Sequence, residues 1–144
     1  MPHLTRTFRI KPRDFTRAGD ASLLVRGILK NIGFGPDLLR RVGLSAYEAE
    51  MNVVMYGGNG ELSLCVEPEK IVLEVMDDGP GIADIRLALQ EGYSTAGPEH
   101  REMGFGAGMG LPNIKKSADS FEITSKPGNG VHLKAAFSAA QASG

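Results

Sequence analysis

The sequence predicts an α+β fold, a two-layer α/β sandwich in which a mixed, mostly antiparallel sheet is covered on one face by about three helices. Two observations predict this fold. Short stretches that alternate apolar and polar residues, which are typical of strands, occur near both ends and in the middle of the chain. Two longer stretches with the apolar spacing of amphipathic helices lie between the first of these strands and the second.

The composition is that of one globular domain. The 144 residues are enough for a substantial core, and we expect the domain to span 1–138, with a flexible tail over 139–144. The net charge of −1 gives no electrostatic argument for binding nucleic acid or membranes. No apolar run is long enough to cross a bilayer. Cys65, the single cysteine, is expected in the core, and its isolation fits a cytoplasmic protein.

The first elements are a strand and a helix. Residues 4–10 alternate apolar and polar side chains, and Arg6 on the apolar face predicts a strand at the edge of the sheet. Helical apolar spacing begins after Asp20, which is the expected N-cap. Gly33 is the expected stop of this helix, because glycine commonly ends helices in a left-handed conformation.

The second helix is marked at both ends. Pro36, which favours the first turn of a helix, follows Gly35, and we expect the helix to end at Tyr56, before a glycine-rich turn. The strands over 62–66 and 71–77 are expected to form an antiparallel hairpin. In chain order, the remaining predicted elements are a short helix over 83–91, a loop or lid over 92–103, a helix over 111–118, and strands over 120–125 and 131–137.

A run of glycines that alternate with apolar residues precedes the last helix. Its members are Gly104, Gly106, Gly108 and Gly110. Glycine is costly to order, so this run predicts a mobile loop whose bare N–H groups approach a ligand. Pro112 favours a helix start just after the run, and free N–H groups at a helix start attract phosphate. The alternative is a flexible surface loop.

A row of polar side chains is predicted on the second helix. Glu48 and Asn52 are four residues apart and share a face, which Tyr56 continues. A carboxamide oxygen suits Mg²⁺, which prefers oxygen ligands, and a carboxylate one turn away suits a general base. A solvated polar face is the alternative. Glu50 falls on a different face and is expected to be an ordinary surface charge.

An acidic turn follows the strand over 71–77, and it contains Asp77, Gly79 and Gly81. A carboxylate that faces a core needs a partner, and the amino group of a bound ligand is one candidate. The alternative is an aspartate that caps its own turn, as Asp commonly does before glycine. By the two-residue period of a strand, Asp77 points the same way as three aliphatic residues, Ile71, Leu73 and Val75.

The order of these three motifs, with the predicted lid between the last two, resembles the GHKL ATPase/kinase superfamily, which shares the Bergerat ATP-binding fold. The resemblance covers nearly the whole chain. Within the superfamily, the chain is similar to the anti-sigma regulatory serine/threonine kinases of bacterial stress and sporulation switches. This similarity implies ATP and Mg²⁺ as cofactors and phosphorylation of a small protein in a partner-switching pathway. The implied partner is a STAS-type anti-anti-sigma protein or a sigma factor, and a homodimer is compatible with it.

The resemblance also implies a role for each motif residue. Glu48 would be the base that activates a seryl or threonyl hydroxyl, and Asn52 would hold Mg²⁺. Asp77 would bind the adenine amino group, with Gly79 and Gly81 letting the adenine lie close. The residues that would wrap the triphosphate and close the site are Gly104, Gly106, Gly108, Gly110 and Leu111.

One turn departs from the pattern of these families. They often carry a threonine in a Gly-x-Gly-Thr turn close to adenine. Here Gly130 is followed by Val131, and Thr124 lies on the preceding strand. The way in which adenine is held at this turn therefore differs from the family pattern.

Two other functions stay open at this point. One is a non-catalytic, nucleotide-gated module that sequesters a sigma factor or a phosphatase. Glu48 argues against it, because a pure binder does not require a base. The other is a detached histidine-kinase catalytic domain, which is disfavoured because we expect no helical segment with a phosphoacceptor histidine ahead of the fold.

Overall fold

The computed structural model describes residues 4–81, 110–125, 128 and 130–139. The predicted helix over 83–91, the predicted lid over 92–103 and the first three glycines of the run lie outside these residues. No helix in the described part of the chain is long and apolar enough to cross a membrane. The elements are β1 (Leu4–Ile10), α1 (Asp20–Ile32), α2 (Pro36–Tyr56), β2 (Gly60–Val66), β3 (Lys70–Asp77), α3 (Gly110–Ser117), β4 (Ser120–Ser125) and β5 (Val131–Ser138).

The five described strands form one sheet in the order β1-β2-β3-β5-β4. Every neighbouring pair is antiparallel. The predicted hairpin of β2 and β3 is confirmed, with Leu64 opposite Leu73. The edge position of β1 is confirmed as well. The sheet thus agrees with the predicted α+β class, and its described strands are antiparallel without exception.

The core lies between the sheet and the three helices. Alternate residues of the central strands face the helices and are buried, as the two-residue period of a strand requires. Cys65 is one of the alternate residues that face away from the helices, and it is half-buried on the opposite face of the sheet. The prediction that Cys65 lies in the core is therefore wrong. The buried hydrophobic residues of the central strands are Leu62, Leu64, Val66, Ile71, Leu73, Val75, Leu133, Ala135 and Phe137.

Helix α2 is the middle helix of the covering layer. It packs against α1 on one side and α3 on the other. It spans Pro36–Tyr56, as the flanking glycines and Pro36 predict. Its buried residues Val42, Ala46 and Val53 belong to the main core. The side chains on the two flanks of α2 therefore contact α1 or α3. The environment of each of these side chains depends on which of the two helices it contacts.

The start of α1 differs from the prediction in a way that explains Glu50. Asp20 is not the N-cap. Gly19 takes that place with a left-handed φ of 97°, and it provides no side-chain cap. The Glu50 carboxylate from α2 accepts hydrogen bonds from the N–H groups of Gly19, Ala21 and Ser22 at 3.0, 3.2 and 2.9 Å. Glu50 is 3 % exposed, so its expected role as a surface charge is wrong. Its charge is matched by the free donors at the helix N-terminus.

The opposite end of the helical layer is held by Arg41 of α2. Its Nε donates to the carbonyl of Ser117 at 2.9 Å, and its Nη2 lies 3.2 Å from the Asp119 carboxylate. Asp119 also accepts the N–H of Ser138 at 2.6 Å. That hydrogen bond, opposed by desolvation and helped by Arg41, lowers the pKa of Asp119. The C-terminal end of α3 is therefore tied to both α2 and β5.

Candidate active site

Glu48 and Asn52, the first two members of the predicted polar row of α2, face α3. Tyr56, the third, packs against Met51 and Met55. The side-chain amide of Asn113, on α3, donates to Oε2 of Glu48 at 2.9 Å. One turn further along α2, the Asn52 carboxamide lies against Gly110. A Cβ added to Gly110 would be 3.4 Å from Oδ1 of Asn52. Glu48 and Asn52 are both half-buried, so this flank of α2 is a sheltered polar surface under the first turns of α3.

The Glu48 carboxylate is held through one oxygen only. Oε2 takes the Asn113 hydrogen bond, and Oε1 has no hydrogen-bond partner within the described ranges. An ionised carboxylate only accepts hydrogen bonds, so the nitrogen of the Asn113 amide has to face it. Sequence reasoning missed Asn113. The two residues are 65 positions apart, and no local pattern connects them.

The Asn52 carboxamide has no hydrogen-bond partner among the residues that the structure describes. A half-buried amide commonly finds one. Its oxygen is close to the point where the glycine run ends and α3 begins. A carboxamide oxygen at this position is a hard donor of the kind that Mg²⁺ prefers. Leu111, which follows Gly110 in the chain, is buried in the core and fixes the start of α3.

Asp77 lies at the end of β3, beside the turn that follows α2. Its Oδ1 accepts the N–H of Gly79 at 2.8 Å and the N–H of Gly58 at 3.3 Å. Asp77 therefore caps its own turn, which was the alternative to ligand binding, and the predicted ligand role stays a prediction. Oδ2 has no hydrogen-bond partner in the described part of the chain, and the residue is half-buried. The described hydrogen bonds thus engage only one of the two carboxylate oxygens.

Glycines allow the turns at this end of the molecule to touch. A Cβ on Gly79 would lie 2.4 Å from the nitrogen of Gly58, and a Cβ on Gly130 would lie 1.9 Å from the carbonyl oxygen of Asp77. Both distances are far inside van der Waals contact. Gly81 has a left-handed φ of 81°, which favours glycine. Gly79 and Gly130 are therefore required by backbone contact and Gly81 by its backbone conformation, whatever binds there.

A serine hydroxyl lies beside Gly130, at the turn where the family pattern often has a threonine. Val131 pairs with Asp77 across the sheet, and Ser125 pairs with Val131, so the three side chains share one face. The Ser125 hydroxyl donates to the carbonyl of Gly130 at 2.7 Å. Thr124 is on the opposite, exposed face, opposite His132. The hydroxyl on the face of Asp77 therefore belongs to Ser125, which sequence reasoning missed.

Glu48, Asn52 and Asp77 follow one another along α2, with Asp77 at the C-terminal end of the helix. Asp77 meets the α2 terminus at Gly57, where an added Cβ would be 2.9 Å from its Cγ. Nine residues separate Gly57 from Glu48, which is about 13 Å along the helix axis. An extended nucleoside triphosphate has comparable length. An α/β sandwich with a helix-borne Glu-x-x-x-Asn row and an acid at a strand end defines the class of GHKL-type ATP-binding domains.

Comparison with known sequences gives the same class. Residues 12–135 match the family described as Histidine kinase-like ATPase domain. The chain therefore belongs to the histidine kinase-like ATPase family. This match confirms the resemblance to the GHKL superfamily that the three motifs predict.

Two relatives indicate which part of the family the chain resembles. It is 33 % identical over 121 residues to serine/threonine-protein kinase RsbT of Bacillus subtilis (strain 168), a match that covers 80 % of this chain and 84 % of that protein. It is 33 % identical over 92 residues to anti-sigma F factor of Thermoanaerobacter sp. (strain X514), which covers 60 % of this chain and 61 % of that protein. These similarities support the anti-sigma regulatory kinases as the relevant part of the family.

A solved structure agrees with the fold. The mycobacterial sensor histidine kinase MprB superposes with a TM-score of 0.54 over 94 % of this chain and 97 % of that one. The sequence identity is 16 %, so this likeness concerns the architecture alone. It confirms the predicted two-layer α+β fold.

Proposed function

We propose that this protein is an ATP-dependent serine/threonine kinase of the anti-sigma regulatory type. In this proposal it transfers the γ-phosphoryl group of ATP to a STAS-type partner protein. The observation that carries the proposal is the arrangement of three side chains along α2. Glu48 and Asn52 lie on one flank of the helix, and Asp77 lies at its C-terminal end. Each of the three has a polar side-chain atom without a partner in the described ranges, as expected of residues that bind or act on a ligand.

Glu48 is assigned as the base. Its Oε1 would accept the proton of a seryl or threonyl hydroxyl while the hydroxyl oxygen attacks the γ-phosphorus, and the bond to the β-phosphate oxygen breaks. Phosphoryl transfer depends mainly on positioning and on charge neutralisation. A carboxylate held through Oε2 by Asn113 at 2.9 Å fits the first requirement.

Asn52 is assigned as the protein ligand of Mg²⁺. When bound, the ion neutralises charge that develops on the phosphate oxygens. The carboxamide would present Oδ1 next to Gly110, where the N-terminal N–H groups of α3 favour phosphate. Gly104, Gly106 and Gly108 keep their predicted role as phosphate-wrapping residues, and they lie outside the described part of the chain.

Asp77 is assigned to the adenine amino group. Its Oδ1 is fixed by the N–H groups of Gly79 and Gly58, which leaves Oδ2 to accept a hydrogen bond from the ligand. A carboxylate oriented in this way favours adenine, whose 6-amino group donates, over guanine, whose 6-oxygen only accepts. Gly79 and Gly81 are assigned to the same end of the site, and Leu111 to its closure.

The proposal is tested by a phosphoryl-transfer assay. The chain is first used with Mg-ATP to retain STAS-domain proteins from its host lysate, and the retained protein is then purified as the acceptor. We expect γ-labelled ATP to give a phosphoprotein stable to acid and labile to base, which is typical of phosphoserine or phosphothreonine. A base-stable, acid-labile product would indicate histidine phosphorylation and would overturn the proposal.

The same assay separates a kinase from a module that only binds. A chain that binds Mg-ATP and retains a partner without ever transferring phosphate would be a nucleotide-gated binder. Glu48, whose second carboxylate oxygen is left without a partner in the described ranges, favours the kinase.

A further inference from the structure

We propose that Asn113 is a positioning residue for phosphoryl transfer. Its side-chain amide would hold the Glu48 carboxylate so that Oε1 is directed to the acceptor hydroxyl. This inference rests on the proposed function. It begins with one contact, the 2.9 Å hydrogen bond from Nδ2 of Asn113 to Oε2 of Glu48.

The contact has a clear effect on the carboxylate. A glutamate side chain has several rotatable bonds, and an unheld carboxylate samples many orientations. A hydrogen bond to an ionised acceptor is shorter and stronger than one between neutral groups. Because Asn113 occupies Oε2, the two oxygens of Glu48 become distinct. One is fixed to α3, and the other is left without a partner within the described ranges.

Asn113 also connects Glu48 to the rest of the proposed site. It lies three residues after Gly110, which packs against the Asn52 carboxamide. The first turns of α3 therefore touch both Glu48 and Asn52. A displacement of α3 would move the base and the surroundings of the metal ligand together.

The position of α3 does not depend on Asn113. Leu111 and Ile114 are buried in the core, and Arg41 donates to the carbonyl of Ser117 at the other end of the helix. The fold of α3 is thus secured by apolar contacts and by Arg41. The Asn113 side chain is half-buried, and its hydrogen bond goes to the one carboxylate assigned to catalysis.

The test uses two variants and a control on the same helix. Asn113→Ala removes the donor, and Asn113→Asp replaces it by an acceptor of nearly the same shape. Lys115→Ala changes an exposed side chain two residues away. With the retained STAS-domain acceptor, we expect kcat to fall about tenfold for the alanine variant and about a hundredfold or more for the aspartate variant. The KM for ATP and the calorimetric affinity for Mg-ATP should stay unchanged, and Lys115→Ala should match the wild type.

A double variant separates positioning from a merely structural role. In the Glu48→Gln background, the addition of Asn113→Ala should leave the residual transfer rate unchanged, because both changes remove the same function. An equal loss of rate with and without Glu48 would overturn the inference, and so would wild-type kcat in Asn113→Ala. In those cases the proposed kinase function would still hold, because the wild type would still transfer phosphate.

A second readout does not require activity. The ¹⁵N-labelled side-chain amide of Asn113 is assigned by its loss in Asn113→Ala, and its proton resonances should shift in Glu48→Gln. Resonances that are unchanged in Glu48→Gln would contradict the hydrogen bond and overturn the inference. A wild type that shows this shift but never transfers phosphate would contradict the proposed function, and the inference would fail with it.

Discussion

Glu48 and Glu50 lie two residues apart on α2 and face different neighbours. Glu48 faces α3 and receives one hydrogen bond, from a side-chain amide. Glu50 faces α1 and receives three, all from backbone N–H groups. The first is half-buried, and the second is buried. The same side chain is therefore used in two ways on one helix.

The difference shows what makes a carboxylate available for chemistry. Both oxygens of Glu50 are engaged, and its charge is matched by the helix N-terminus, so it holds α1 against α2. Glu48 keeps one oxygen without a partner in the described part of the chain, next to Asn52 and the end of the glycine run. Removal of Glu48 should therefore affect the reaction, whereas removal of Glu50 should affect the fold.

The largest expected effect is on the Glu48 side of the comparison. Glu48→Ala should lower the rate of phosphoryl transfer at least about a hundredfold, the typical contribution of a general base. Affinity for Mg-ATP, measured by calorimetry, should be unchanged, and the free energy of unfolding should change by less than about 1 kcal/mol. Glu61→Ala, on the exposed face of β2, is the matched control. Full transfer in Glu48→Ala would refute the assignment of the base.

The complementary prediction concerns Glu50. Glu50→Gln removes the charge and puts an amide donor against at least one N–H group, that of Ser22 in the orientation with fewest donor–donor contacts. We therefore expect a loss of about 3 kcal/mol in the free energy of unfolding. Urea denaturation measures it, with the exposed Glu69→Gln as control. The folded fraction should retain its affinity for Mg-ATP. A variant as stable as the wild type would show that Glu50 does not hold α1.

A third prediction compares two glycines. Gly79→Ala places a Cβ 2.4 Å from the nitrogen of Gly58, so the turn that fixes Asp77 has to shift. We expect a loss of about 2 kcal/mol in stability together with weaker Mg-ATP binding. In Gly27→Ala, inside α1, the Cβ meets nothing within 4 Å, and the change should stabilise the helix by up to about 1 kcal/mol. Equal behaviour of the two variants would contradict the contact around Asp77.

The smallest expected effect is at the far end of α3. The N–H of Ser138, opposed by desolvation and helped by Arg41, lowers the pKa of Asp119 below 3.8. A carboxylate with a lowered folded-state pKa stabilises the fold above its unfolded pKa, and this stability is lost as the pH falls through the folded pKa. The stability difference between wild type and Asp119→Asn should therefore be present at pH 7 and shrink towards pH 3. Urea denaturation at both pH values measures it, and a difference independent of pH would contradict the lowered pKa.

Much of the fold follows from the sequence because local signals agree with the tertiary contacts. Gly35 and Pro36 begin α2, and the glycines after Tyr56 end it, so both bounds are predicted correctly. Gly33 ends α1 in the left-handed conformation, as expected. Strand periodicity gives the hairpin of β2 and β3. These features depend on neighbours in the chain, which the sequence displays directly.

The contacts that were missed connect distant segments. Glu50 binds backbone N–H groups about thirty positions earlier, and backbone donors have no sequence signature. Asp20 was expected to cap α1 by a local rule, but the cap comes from Glu50 on another helix. Asn113 meets Glu48 only because α3 packs on α2. Sequence reasoning can nominate a polar row, but the hydrogen bonds that distinguish one carboxylate from another appear only in the packed structure.

The central claim is that an adenine nucleotide lies along α2, from Asp77 at one end to Glu48 at the other. Titration calorimetry with ATP in the presence of Mg²⁺ tests it directly. We predict saturable binding to the wild type, at least about tenfold weaker binding to Asp77→Asn, and unchanged affinity in Glu48→Ala. No measurable heat of binding in the wild type, or equal affinity in the wild type and Asp77→Asn, would contradict the claim.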